Sequence, residues 1–260
     1  MERQKLVVAD ADVVSRCRAV TIPGSYAVLP RANRVLGSLP VLDGAQAQVL
    51  AAPPHSRTYV AHELILSPGG GSSRPVLGDL EQFLYVLEGG IELHFDGQVH
   101  HLAIGGYCWL PPGRPFEFRN PDGAPSRALW LRRRYMPAKD TDIPGAIIRQ
   151  EKDIPAFPED TYMEQHLIPY EDLGFDMGCN LLSFQAGTYF SFVESHIMEH
   201  GLYMLQGRGI YWLNGDYVEV QKDDFMYMAP YCPQFFFATG WEESRYLVYK
   251  DVNRDYEGLL

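Results

Sequence analysis

Leu84-Tyr85-Val86-Leu87-Glu88-Gly89 returns 118 residues later as Leu202-Tyr203-Met204-Leu205-Gln206-Gly207. The same gapless offset lays residues 63–132 over 181–250. Along it Asp96-Gly97 falls on Asn214-Gly215, Pro112 falls on Pro230, and Leu64-Ile65-Leu66-Ser67-Pro68-Gly69 and Leu182-Ser183-Phe184-Gln185-Ala186-Gly187 end on the same glycine. Self-similarity at one fixed separation marks an internal duplication.

Both copies carry β signals. Ile91-Glu92-Leu93-His94-Phe95 runs straight into Asp96-Gly97, and Gly209-Ile210-Tyr211-Trp212-Leu213 runs into Asn214-Gly215. A β-rich run ending in such a dipeptide is a strong local hairpin signal. Sustained helical periodicity is scarce. The expected fold is all-β, with two antiparallel β-barrels or jelly rolls, one per copy. Residues 1–134 are expected to form the first barrel, with an N-terminal stretch bearing Pro23, Pro30 and Pro40 that wraps onto a barrel. Residues 135–176, with Pro137, Pro144, Pro155, Pro158 and Pro169, read as a connection lying along the surface, and 177–260 as the second barrel.

Composition narrows the function. Of 260 residues, 46% are hydrophobic and 21% charged, which excludes disordered, collagen-like and coiled-coil chains. Every apolar run falls well short of the roughly 20 residues that span a bilayer. Met1 to Val20 mixes charges with apolar residues and shows no secretory pattern, so a soluble cytoplasmic protein is expected. Cys17, Cys108, Cys179 and Cys232 have no C-x-x-C spacing and read as buried thiols. A net charge of -11 argues against nucleic acid, whose binding is built on phosphate neutralisation. The expected partners are a small molecule and further copies of the chain, the latter through exterior aromatics such as Phe235-Phe236-Phe237.

Chemistry concentrates in Glu194-Ser195-His196-Ile197-Met198-Glu199-His200-Gly201. Residues two apart on a strand share a face, so Glu194 and His196 are expected to project together. His200, opening the next strand after a bend, can return to the same point. With Gln234 after the Pro230-Tyr231-Cys232-Pro233 turn, the set offers two imidazoles, a carboxylate and an amide oxygen. Such thiolate-free ligation suits a divalent ion such as manganese or iron better than structural zinc. The alternative is a pair of packed interior histidines with Glu194 on a solvated rim. The duplication weighs between them: the offset places Glu194 on Val76, His196 on Gly78, His200 on Gln82 and Gln234 on Phe116. Residues that served only the fold should recur in the other copy, so the asymmetry favours one active and one structural barrel.

Gly187, Glu194, His196, His200 and Gly207 resemble the first cupin motif, and Gly105, Pro111, Gly113 and Asn120 resemble the shell of the second, which makes a bicupin the family-level expectation. More narrowly, four stretches are similar to the (S)-ureidoglycine aminohydrolases of purine and allantoin breakdown. They are Glu81-Gln82-Phe83-Leu84-Tyr85-Val86, Leu173-Gly174-Phe175-Asp176-Met177, the Glu194 to Gly201 run, and Tyr249-Lys250-Asp251-Val252-Asn253-Arg254-Asp255. The Glu-x-His-x3-His form is distinctive, because general cupins usually carry His where Glu194 stands. The resemblance implies a manganese ion (Mn2+) held by Glu194, His196, His200 and Gln234, and ureidoglycine held by Tyr211, Tyr246 and Lys250 with Glu194 and Gln234. The general second motif would put its ligand at Phe235; the ungapped family match favours Gln234, and Phe235 cannot ligate.

The implied reaction replaces the amine of (S)-ureidoglycine by hydroxyl, giving (S)-ureidoglycolate and ammonia. Loss of ammonia leaves an acyl-imine, to which water adds on one face. Lys250 would meet the substrate carboxylate, and Tyr246, four residues before it, shares its strand face. Glu194 is the candidate proton acceptor, its pKa expected to fall when it ligates a cation. Lys250, Tyr246 and Glu194 are thus the candidate catalytic residues. The run Arg132-Arg133-Arg134 reads as a solvated or interface patch. The rival readings are an iron-dependent bicupin dioxygenase and a non-catalytic small-molecule-binding bicupin.

Overall fold

A computed structural model describes residues 18–53, 55–76, 78–169 and 171–251. Cys17 and residues 252–255 of the family-like C-terminal stretch lie outside them. The described chain is built almost wholly of strands, with two short 3-10 turns and no helix long and apolar enough to cross a membrane.

The N-terminal part supplies β1 (Val20–Ile22), β2 (Tyr26–Leu29) and β3 (Leu36–Gly37). The first copy holds β4 (Leu42–Ala51), β5 (Tyr59–Ser72), β6 (Leu80–Glu88), β7 (Ile91–Phe95), β8 (Gln98–Leu102), β9 (Gly106–Leu110), β10 (Phe116–Arg119) and β11 (Ser126–Arg134). Between the copies lie β12 (Ile147–Gln150), β13 (Phe157–Glu159) and β14 (Tyr162–His166). The second copy holds β15 (Met177–Phe184), β16 (His200–Gln206), β17 (Arg208–Leu213), β18 (Asp216–Gln221), β19 (Phe225–Met228), β20 (Gln234–Ala238) and β21 (Ser244–Asp251).

The duplication is visible bond by bond. Ala128 pairs with Leu64 and Val86, and Tyr246, 118 residues on, pairs with Leu182 and Met204. Gln82 lies opposite Arg132 and Leu110; His200 lies opposite Lys250 and Met228. Even an isolated bridge repeats, Val76 with Phe116 and Glu194 with Gln234. The hairpin dipeptides Asp96-Gly97 and Asn214-Gly215 both take positive φ, the combination a tight two-residue turn requires. The all-β, two-barrel architecture expected from the sequence is therefore present.

The expected boundaries cut across the sheets. The first sheet, ten strands in all, includes β12, paired with β9. The second, of eight, runs β1-β2-β19-β16-β21-β15-β14-β13 and faces the three-stranded β18-β17-β20 sheet. Residues 20–29 thus complete the second barrel, and the segment read as a surface connection contributes strands to both. Pro158 lies inside the short edge strand β13, where a missing N–H is tolerated, and the other four prolines fall outside the strands. β14 pairs with β15 from Met163 opposite Ser183 to His166 opposite Asn180, which brings Glu164 into the second barrel.

Each barrel has its own apolar interior, and a third apolar cluster lies between their large sheets. The first interior includes Leu64, Leu84, Phe116, Phe118 and Trp130; the second includes Phe184, Leu202, Met204, Tyr211, Phe236 and Tyr246. Between the barrels Phe83, Tyr107, Trp109 and Leu131 share a cluster with Met177, Cys179, Tyr203 and Tyr249. Fully burying one such large apolar side chain contributes about 1.5–3 kcal/mol, which makes back-to-back packing the favoured arrangement. Cys108, Cys179 and Cys232 are buried free thiols, as expected.

Two segments expected at the surface are instead partly buried. Strand alternation turns Phe236 into the core, leaving only Phe235 and Phe237 on the outer face and half-buried, so Phe235–Phe237 is no continuous exterior aromatic strip. Arg133 is likewise buried, where it meets Glu81 at 3.4 Å, Asp176 at 3.5 Å and Asp251 between the barrels. Only Arg134 of that basic run is exposed.

Candidate metal centre and substrate cavity

Glu194 and His196 do not lie in a regular strand. Glu194 forms a single bridge in which its N–H donates to the Gln234 carbonyl and the Gln234 N–H donates to its carbonyl, each at 2.9 Å. Two residues that exchange both bonds sit directly opposite, so the carboxylate and the amide emerge side by side. His196 follows in an irregular segment fixed by the Tyr231 N–H, which donates to its carbonyl at 2.7 Å. The expected strand is absent because the pairing lasts one residue; the bridge does the same orienting work. His200 opens β16, as expected.

The imidazoles of His196 and His200 meet edge to face, with ring centroids 4.6 Å apart. Gln234 Nε2 lies 3.0 Å from His200 Nδ1. The Tyr211 hydroxyl donates to that of Tyr246 at 3.3 Å, and Lys250 lies across the sheet from His200. All seven of these side chains, Glu194, His196, His200, Tyr211, Gln234, Tyr246 and Lys250, border one cavity of about 60 Å³ in the second barrel.

Two further residues of that wall, Glu164 and Asn180, escape a reading of the sequence. The available signal is the alternation Tyr162, Glu164, His166 in what proves to be β14, too short to stand out within a proline-rich segment. Asn180 Nδ2 donates to Glu164 Oε1 at 2.6 Å. The offset of 118 places them over Gln46 and His62.

Burial sets the electrostatics. It lowers the pKa of His200 well below the usual imidazole value, helped by His196 and Lys250, and lowers that of His196, helped by Lys250. Both rings are therefore neutral, the form that ligates a cation. Burial raises the Glu194 carboxyl against the pull of Lys250, with Glu164 adding to the rise. A depressed Glu194 is expected of a metal ligand; in the protein alone, desolvation outweighs one nearby ammonium, and a bound divalent charge would reverse that balance. The Lys250 ammonium is weakened by burial and supported by Glu164 and Glu194. Burial also raises the phenols of Tyr211 and Tyr246, which stay protonated as donors.

Among the described residues no three His, Cys, Asp or Glu side chains already form a cation cage. The donor chemistry nonetheless fits a divalent ion. His196 Nδ1 is buried and makes no hydrogen bond to the described residues, the neighbouring imidazole is neutral, and the Glu194 carboxylate borders the same cavity as the Gln234 amide, whose oxygen is the donor a cation would take. A coordinated cation would satisfy that buried nitrogen.

The segment holding these candidate ligands is tied to the first barrel from behind. Glu199, between His196 and His200, accepts from the backbone N–H of Arg57 at 2.9 Å and of Thr58 at 3.2 Å, from the Thr58 hydroxyl, and from the Tyr227 hydroxyl at 2.7 Å. The Tyr59 hydroxyl donates to the His200 carbonyl at 3.2 Å. In the first barrel the counterparts of Glu194 and Gln234, Val76 and Phe116, belong to the apolar core.

Known proteins agree with this architecture. The cupin domain family matches residues 62–132. The (S)-ureidoglycine aminohydrolase of Escherichia coli (strain K12) is 30% identical over 244 residues, 92% of this chain and 93% of that protein. The (S)-ureidoglycine aminohydrolase of Arabidopsis thaliana is 28% identical over 232 residues, 88% of this chain and 76% of that protein. A crystal structure of a Pseudomonas aeruginosa protein, 35% identical, superposes with a TM-score of 0.84 over 94% of this chain and 93% of its own.

Proposed function

The chain belongs to the (S)-ureidoglycine aminohydrolase family, and from that premise we propose that it converts (S)-ureidoglycine and water to (S)-ureidoglycolate and ammonia. In this reading one manganese ion is held by Glu194, His196, His200 and Gln234. The observation that carries it is the meeting of these four with Tyr211, Tyr246 and Lys250 around a single cavity, in the barrel whose partner has apolar residues at the positions of Glu194 and Gln234.

When bound, a divalent ion supplies electrophilic activation and orients the substrate. The chain supplies the rest. Lys250 meets the substrate carboxylate, an anion that would otherwise be repelled by an acidic protein. Glu194 accepts a proton from the attacking water. The Tyr211 and Tyr246 hydroxyls, one donating to the other, leave a donor for the substrate. Phe190, Leu202 and Val248 make part of the wall apolar and limit competing water. The bond from carbon to the amine nitrogen breaks, the bond from carbon to the water oxygen forms, and the water proton leaves on ammonia.

Freshly prepared (S)-ureidoglycine tests the reading. The manganese-loaded protein is expected to release one ammonia per substrate and to yield the S enantiomer of ureidoglycolate. Ammonia release no faster than the uncatalysed reaction, together with oxygen uptake by the iron-loaded protein, would replace hydrolysis by the dioxygenase reading.

A further inference from the structure

We propose that Glu164 and Asn180 form the subsite that receives the N–H groups of the substrate's ureido end. The inference rests on the aminohydrolase reading.

The pair is built to leave one acceptor over. A carboxylate offers only lone pairs, so Glu164 takes the amide nitrogen of Asn180 and fixes which way the amide faces. Asn180 Nδ2 donates to Glu164 Oε1 at 2.6 Å, which turns Asn180 Oδ1 away. That oxygen is buried on a fully buried residue and accepts no hydrogen bond from the described residues. An unmatched buried acceptor is costly, and one that lines a cavity is matched when a donor-bearing ligand arrives. Both residues line the cavity that also holds Lys250.

Register supplies the spacing. Asn180 lies opposite Val248 on one side and His166 on the other. Lys250 is two residues beyond Val248, and Glu164 is two before His166, so all three project to the same face. Lys250, Asn180 and Glu164 therefore run diagonally across three strands, each step on the order of 7 Å between backbone positions. A small ligand whose carboxylate meets Lys250 presents its far end to Asn180 and Glu164. A ureido group carries an inner N–H and a terminal NH2, donors that two acceptors can take; a methyl or a second carboxylate in that place gains nothing.

N-carbamoylglycine and N-acetylglycine separate this role from simple neutralisation of Lys250. They share carboxylate and carbonyl and differ by a terminal NH2 against a methyl. Calorimetric titration of the manganese-loaded protein, with metal content checked for every variant, is expected to show at least tenfold tighter binding of N-carbamoylglycine. In Glu164→Gln and in Asn180→Leu that preference is expected to fall to within about threefold. Equal binding of the two compounds by the unmodified protein, or binding of neither, would overturn the assignment, as would a preference retained in both variants. Ammonia release from ureidoglycine, measured on the same unmodified protein, tells the failures apart. Release without the carbamoyl preference sinks the subsite alone, whereas the preference without release leaves the subsite standing and sinks the reaction.

Discussion

Glu199→Ala removes the carboxylate that joins the ligand-bearing segment to the first barrel, and the structure sets the size of the loss. Glu199 is 1% exposed, and its two oxygens take the Arg57 and Thr58 amides and the Thr58 and Tyr227 hydroxyls. The hydroxyls can rotate to other acceptors; the two backbone amides cannot. A buried donor left without a partner costs roughly 1–3 kcal/mol, so two of them give a destabilisation of about 2–6 kcal/mol. In a chain of this size each kcal/mol moves Tm by about 2–4 °C, so differential scanning calorimetry should show a fall of about 4–24 °C. Glu199→Gln, which keeps one acceptor oxygen but turns an NH2 toward a donor, should lie between the two. A Glu199→Ala transition within 2 °C of the unmodified protein would refute the idea that this carboxylate ties the barrels together.

Further outcomes follow from individual groups. Burial, aided by Arg132, lowers the His62 pKa to about 4. The unfolded chain, whose histidine titrates near 6.5, binds the extra proton first, so stability falls as pH drops from about 6.5 to about 4, by up to about 3 kcal/mol. His62→Asn, which puts the second barrel's residue in its place, should flatten the pH dependence of Tm across that window, and an unchanged slope would contradict it. Lys250→Met removes the cation proposed to meet the substrate carboxylate. A hydrogen bond to a charged group contributes about 1.5–3 kcal/mol, so KM for ureidoglycine should rise about 10–150-fold, whereas a rise below threefold would move the carboxylate elsewhere. Tyr211→Phe deletes the donor to Tyr246 and should cost about 0.5–1.5 kcal/mol of stability in chemical denaturation; no change in midpoint would mean that this contact contributes nothing.

The duplication was legible because its signals are local. Asp96-Gly97 and Asn214-Gly215 declare their turns, and the offset that aligns them also aligns Gln82 with His200 and Arg132 with Lys250 in register. The candidate ligands were legible because Glu194, His196 and His200 fall within seven residues, even though the strand expected to carry them reduces to one bridge. What stayed hidden depends on distant partners. Tyr26–Leu29 reads as an apolar strand anywhere, and only tertiary structure sets it beside β19. Arg133 looks like part of a solvated run until Glu81, Asp176 and Asp251 arrive from three other segments. Glu164 and Asn180 carry no motif; they matter because β14 and β15 pair in the register that points both inward.

The central claim is that the second barrel binds one divalent ion through Glu194, His196, His200 and Gln234, while the first binds none. Equilibrium dialysis against manganese followed by elemental analysis tests it directly. The account predicts one ion per chain in the unmodified protein, a loss to well under one tenth of an ion in His200→Ala at the same free manganese, and no loss in Gln82→Ala, its counterpart in the first barrel. No ion in the unmodified protein, or equal retention in His200→Ala, would contradict it.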